Sequence, residues 1–113
     1  MGANVSLMPF GTILADVTRR IIKVASPQRI ILFGSAVTGK MNQDSDLDIL
    51  VIMRGPAHRR QLAQRIYRNL HGVSLPVDII VATEDDIMDS TMKSGSILRP
   101  AIAEGQIIYD AQG

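Results

Sequence analysis

Asp46-Leu47-Asp48 opens the apolar run LDILVIM, and Asp78 interrupts the equally apolar PVDIIV. In an extended strand alternate side chains share a face, so Asp46 and Asp48 project together. Two carboxylates a few ångströms apart repel each other, and burial raises that cost. A divalent cation removes the conflict and takes both groups as hard oxygen ligands. If the strands that carry them are neighbours, Asp78 joins the pair at one edge of a sheet. Such a trio suits metal-assisted displacement at phosphorus. A lone aspartate at a strand start is ordinarily a turn or solvent-facing residue, and Asp44 and Ser45 read that way. Acids on two strands of mainly apolar sequence are less ordinary and point to a metal site.

Upstream, ILFGS sets Gly34 and Ser35 at the end of a β-rich run. Glycine permits positive φ and close backbone approach, and a turn there aims N–H groups at an incoming anion. Ser35 adds a hydroxyl donor. A Gly-Ser pair alone is an ordinary turn; its weight comes from standing upstream of the paired carboxylates. The longer phosphate loop ending in Gly-Lys-Ser or Gly-Lys-Thr is absent.

These residues need elements to hold them. Ile13, Leu14, Val17, Ile21 and Val24 fall near helical spacing, predicting an amphipathic helix over residues 11–26 that ends before Pro27. RIILFG and LDILVIM read as buried strands, the second closed by Arg54-Gly55-Pro56. Residues 57–71 place Leu62, Ile66, Tyr67 and Leu70 on one face and four arginines largely on others, a second helix stopped by Gly72. PVDIIVA is a third strand. Thr83, with Asp86 three residues on, starts a further helix in the manner of a capping box. Ser96 caps a short helix through ILRPAIAEG, and QIIYD reads as a short edge strand. The predicted order is helix, strand, strand, helix, strand, helix, helix, strand: an α+β domain, with a small mixed sheet carrying packed helices.

The remaining chemistry-bearing side chains read as structural. His58 and His71 lack partners at metal spacing. Arg59, Arg60, Arg65 and Arg68 read as a solvated helix surface, and Met88 and Met92 as core packing. Tyr67 and Tyr109 carry no sequence mark of catalysis.

At 113 residues the chain is expected to form one domain, residues 1–113. A net charge of +1 without a basic run gives no extended nucleic-acid footprint, so direct nucleic-acid binding is not expected. With no cysteine, disulfides and thiolate metal sites drop out. No apolar run approaches the roughly 18 residues of a membrane span. The start lacks a basic segment followed by an apolar one, so a cytoplasmic location is expected.

Gly34-Ser35, ten intervening residues and then Asp46-x-Asp48 resemble the signature of the nucleotidyltransferase superfamily that includes DNA polymerase beta. The length and DSDLDILV resemble its minimal nucleotidyltransferases, and the likeness runs from ILFGS through PVDIIV to SILRPAIAEGQIIYD. The resemblance implies the nucleotidyltransferase fold, with Gly34 and Ser35 binding the nucleoside triphosphate. It implies two magnesium ions on Asp46 and Asp48, with Asp78 as the third catalytic, metal-binding acid. Many minimal members carry arginine directly after the serine and again two positions later. Ala36 and Thr38 stand there in this chain, and Lys40 is the first base downstream, the candidate to compensate at the triphosphate.

Minimal members are commonly paired with a small helical HEPN-domain toxin. The resemblance therefore implies an antitoxin that transfers AMP from ATP to a tyrosine of that partner, as a homo- or hetero-oligomer. Two alternatives stand beside it: an antitoxin that neutralises its partner by contact alone, and a transferase acting on a small molecule such as an antibiotic.

Overall fold

The computed structural model describes residues 10–39, 45–91 and 98–112. Lys40, Asp44, Met92 and the Ser96 cap lie outside the described residues. The elements run α1 (Phe10–Ala25), β1 (Arg29–Phe33), α2 (Ser35–Thr38), β2 (Leu47–Met53), α3 (Arg59–Asn69), β3 (Val77–Thr83), α4 (Glu84–Thr91), α5 (Leu98–Glu104) and β4 (Gln106–Asp110). The predicted order is observed, with α2 added as a single turn after Gly34. Among the described residues, no helix is long and apolar enough to cross a membrane.

The strands form one mixed sheet in the order β3-β2-β1-β4. β1 is antiparallel to β2 and to β4, whereas β2 and β3 are parallel. Parallel neighbours cannot be joined by a hairpin and need a crossover, which α3 supplies. Strand β2 is central and buried, so it is nearly continuous in apolar residues instead of alternating.

Its two faces feed two cores. Leu47, Ile49 and Val51 join Ile30, Leu32, Ile79 and Val81 beneath α1 and α3, which contribute Val17, Ile21 and Ile66, with Leu70 just past the end of α3. On the opposite face Leu50 and Ile52 meet Ile31, Ala82 and Ala101, with Ile80 and Ile87 packed against them. Each fully buried aliphatic side chain contributes on the order of 1.5–3 kcal/mol. A register slip of one residue would exchange the two faces of β2, so these cores fix the pairing.

Two local devices fix the helices. Arg20 of α1 donates to the carbonyls of Asn69 and His71 at 3.2 and 2.8 Å, satisfying the carbonyl end of α3. Asn69 returns a hydrogen bond to the Arg20 carbonyl at 3.0 Å. At the start of α4 the capping box is reciprocal. The Asp86 N–H donates to Thr83 Oγ1 at 3.1 Å, and the Thr83 N–H donates to Asp86 Oδ2 at 2.9 Å. Arg59 of α3 then donates to both oxygens of Asp86, tying the two layers across the edge of β3. Met88, expected in the core, is 69% exposed instead. On α4 the inward position belongs to Ile87, and one residue later a helix has turned by about 100°.

The Asp86 carboxyl is held below its ordinary value, first by the Thr83 N–H and then by Arg59. A depressed acid contributes stability above the unfolded value, about 3.9, and that contribution is lost as pH falls through the folded value. Asp86→Ala should therefore cost about 1 kcal/mol at pH 7, the typical worth of a cap. Urea denaturation should show the difference from the parent protein shrinking as pH drops below the ordinary aspartate range.

Candidate active site

One end of the sheet collects the polar residues. β2 and β3 run in the same direction, so their first residues lie together; β1 runs oppositely, so its last residue joins them. The register pairs Asp48 with Asp78 and Phe33 with Asp48. Asp48 and Asp78 therefore sit side by side on neighbouring strands, which lie about 4.8 Å apart. By alternation both occupy the face that Leu50, Ile52, Ile80 and Ala82 continue beneath α4 and α5. Asp48 is half-buried and Asp78 exposed.

Asp46 precedes the first residue of β2 and is exposed, so it is not a strand residue as its alternation with Asp48 predicted. The Leu47 N–H donates to the Pro76 carbonyl at 2.8 Å, which anchors the entry to β2 against the entry to β3. Asp46 stays near the other acids all the same. Burial raises the Asp48 pKa first, then the charge of Asp78, then that of Asp46. Like charges are thus gathered here.

Gly34 completes the constellation. It follows β1 with φ 77° and ψ −149°, a region that is essentially glycine's alone. A Cβ at this position would stand 2.2 Å from Asp48 Oδ2, so the backbone of the turn lies directly against the carboxylate. The Gly34 carbonyl accepts from the N–H groups of Val37 and Thr38 at 3.0 and 3.1 Å, starting the turn of α2. Half-buried Ser35 is the first residue of that turn, and Ala36 and Thr38 place no charge on it.

One site residue had no mark in the sequence. Tyr67, on the crossover helix, reaches the outer edge of β3. Its hydroxyl accepts the Ile79 N–H at 2.8 Å and donates to Asp78 Oδ1 at 3.2 Å. Burial raises its pKa foremost, and the charges of Asp78 and Asp46 add to this while the Ile79 N–H opposes it. A tyrosine late in a helix that crosses over to an acid-bearing strand is the signal that could have found it. It becomes meaningful only once the parallel pairing is known.

Among the described residues, no group of three or more acids or histidines is drawn together closely enough to hold a metal ion. The donor chemistry nonetheless suits a hard cation. Asp46, Asp48 and Asp78 offer carboxylate oxygens, burial and then the charges of Asp78 and Asp46 lift the Asp48 pKa, and oxygen ligands are what magnesium takes.

A family profile described as nucleotidyltransferase domain matches residues 14–103. A protein described as a nucleotidyltransferase from Sulfolobus solfataricus has a similar fold, with a TM-score of 0.61 and 16% identity, covering 89% of this chain and 80% of that one. A toxin-antitoxin structure with AMP-PNP is similar at a TM-score of 0.52 and 23% identity, covering 92% of this chain and 76% of that one. None of the curated proteins matches the chain significantly.

Two substitutions test this geometry. Gly34→Ala should destabilise the protein by about 1–3 kcal/mol, the usual cost of forcing a side chain into such backbone. Asp48→Asn should fold and, in the presence of a chelator, be more stable than the parent at pH 7. A raised acid pKa means that stability is fully present below the unfolded value and is lost as pH rises through the folded one. The gain from asparagine should accordingly vanish below about pH 4, where an ordinary aspartate is protonated. Denaturant midpoints across pH would show both.

Proposed function

The chain belongs to the nucleotidyltransferase domain family, and from that premise we propose that it transfers AMP from ATP to a hydroxyl of a protein partner, as the antitoxin of a toxin–antitoxin pair. The observation that carries this reading is the placement of Asp48 beside Asp78 across β2 and β3, with the Gly34 backbone against Asp48. A turn without a side chain next to repelling carboxylates suits a triphosphate that arrives with its cation. The fold likeness to a toxin-antitoxin structure holding AMP-PNP supports the choice of nucleotide and of partner class.

In this reading Asp46, Asp48 and Asp78 hold magnesium, two ions in all. When bound, the metal neutralises charge on the triphosphate and on the acids themselves. Gly34 and Ser35 hold the outer phosphates through backbone N–H groups and the serine hydroxyl, with Lys40 as a further cationic contact. Asp78 accepts the proton of the acceptor hydroxyl. The hydroxyl oxygen forms its bond to the α-phosphorus as the bond to the bridging oxygen of the β-phosphate breaks, and pyrophosphate leaves. The acceptor in this reading is a tyrosine of a HEPN-type toxin.

A second reading has one specific observation in its favour. α2 presents Ala36 and Thr38 beside Gly34 where many minimal members have arginines, which favours an antitoxin that neutralises its partner by contact.

Co-expression with a candidate helical toxin separates the two. The partner, purified alone under dissociating conditions and refolded, should carry one AMP and remain inactive, and Asp48→Asn should abolish that increment. An unmodified partner that regains full activity would leave contact inhibition as the function. Magnesium with ATP should also raise the melting temperature of the parent protein by binding only the folded state, with little effect on the Asp48→Asn variant.

A further inference from the structure

Tyr67 is the residue whose position the site chemistry above leaves unused. Its hydroxyl donates to Asp78 Oδ1 at 3.2 Å, within the reach at which a base takes the proton of an attacking group. The residue is 42% exposed, so the hydroxyl is not sealed inside the core. The Ile79 N–H, at 2.8 Å, holds the phenol oxygen in place from the strand side. The hydrogen bond that Asp78 would offer an incoming acceptor is thus already made by a hydroxyl of the same chain. A tyrosine that only capped the edge N–H of Ile79 would need no contact with Asp78.

We propose that Tyr67 is itself a nucleotidyl acceptor, so that the chain modifies its own Tyr67 when given a nucleoside triphosphate. This rests on the transferase reading of the same site. The phenol oxygen forms a bond to the α-phosphorus and its proton passes to Asp78. The bond from the α-phosphorus to the α–β bridging oxygen breaks, and pyrophosphate departs with the electron pair. The product is a tyrosyl phosphodiester of the nucleoside monophosphate. Because base and acceptor belong to one chain, the reaction is intramolecular. It is also self-limiting, since the phosphodiester has no proton left to give Asp78. Attack requires the oxygen and phosphorus to meet at about 3–3.5 Å, and a hydroxyl held at the base meets the orientation half of that demand.

The test uses the full chain with magnesium and each of the four ribonucleoside triphosphates in turn, without a partner protein. Intact mass should rise by one nucleoside monophosphate, and fragmentation of the peptide should place it on Tyr67. The chain has one other tyrosine, Tyr109 on β4, and Tyr109→Phe should label like the parent while Tyr67→Phe loses the label. The labelling rate should not change with protein concentration. Mapping on the parent protein decides the site even where Tyr67→Phe folds poorly. Without metal or nucleotide, the Ile79 amide should exchange faster in folded Tyr67→Phe than in the parent; unchanged exchange would count against the anchored hydroxyl. Label on another residue, or a rate that rises with concentration, overturns the proposal. So does an unlabelled chain that still modifies a partner protein, which leaves the transferase reading standing. Failure to turn over any triphosphate, with or without partner, overturns both.

Discussion

The parallel pairing of β2 with β3 is the constraint on which the rest of this molecule depends. It obliges the chain to cross over, and α3 is that crossover. It brings Asp48 level with Asp78, and α3 in turn delivers Tyr67 to the strand edge. What holds the register is the apolar content of β2 on both faces, with Leu47, Ile49 and Val51 turned one way and Leu50 and Ile52 the other. Hydrophobic burial spread over two cores therefore keeps two like charges side by side. Asp48 and Asp78 do not set this register; it is imposed on them by the apolar residues around them.

Two aspartates show how differently one residue type can be used. Asp86 accepts a backbone N–H and an arginine, and its pKa falls. Asp48 faces burial and two further carboxylates, and its pKa rises. The first is a structural acid whose charge is satisfied locally. The second gathers like charge instead, and the glycine turn beside it sets backbone, not a side chain, against the carboxylate. Perturbation by burial and like charge in a polar cluster is a mark of functional sites, while satisfied pairing marks a structural one.

Much of this was legible in the sequence because the signals were local. Strand runs, Pro and Gly stops, the Thr83–Asp86 cap and the placing of acids at strand entries all follow from spacing over a few residues. Bringing Asp78 beside Asp48 required supposing that two strands are neighbours, and the sheet order makes β2 and β3 adjacent. Asp46 lies just outside β2 because chain entry is fixed by the Leu47–Pro76 hydrogen bond, a non-local contact. Tyr67 was unreadable for the same reason, since its partners are 11 and 12 residues away across a crossover. Met88 misled because two apolar neighbours on a helix do not share a face.

The hydroxyl of Tyr67 also makes the two borders of the sheet unequal. An edge strand is open to addition of a foreign strand through its unpaired N–H and C=O groups. On β3 the Ile79 N–H is already engaged by Tyr67. The opposite border, β4, pairs only with β1 among the described residues, and its Ile107 stands 54% exposed. A strand added at β3 would have to displace that hydroxyl, whereas one added at β4 would leave β1 and β2 between the newcomer and Asp78. A sheet extended in that direction would still present its carboxylates to solvent.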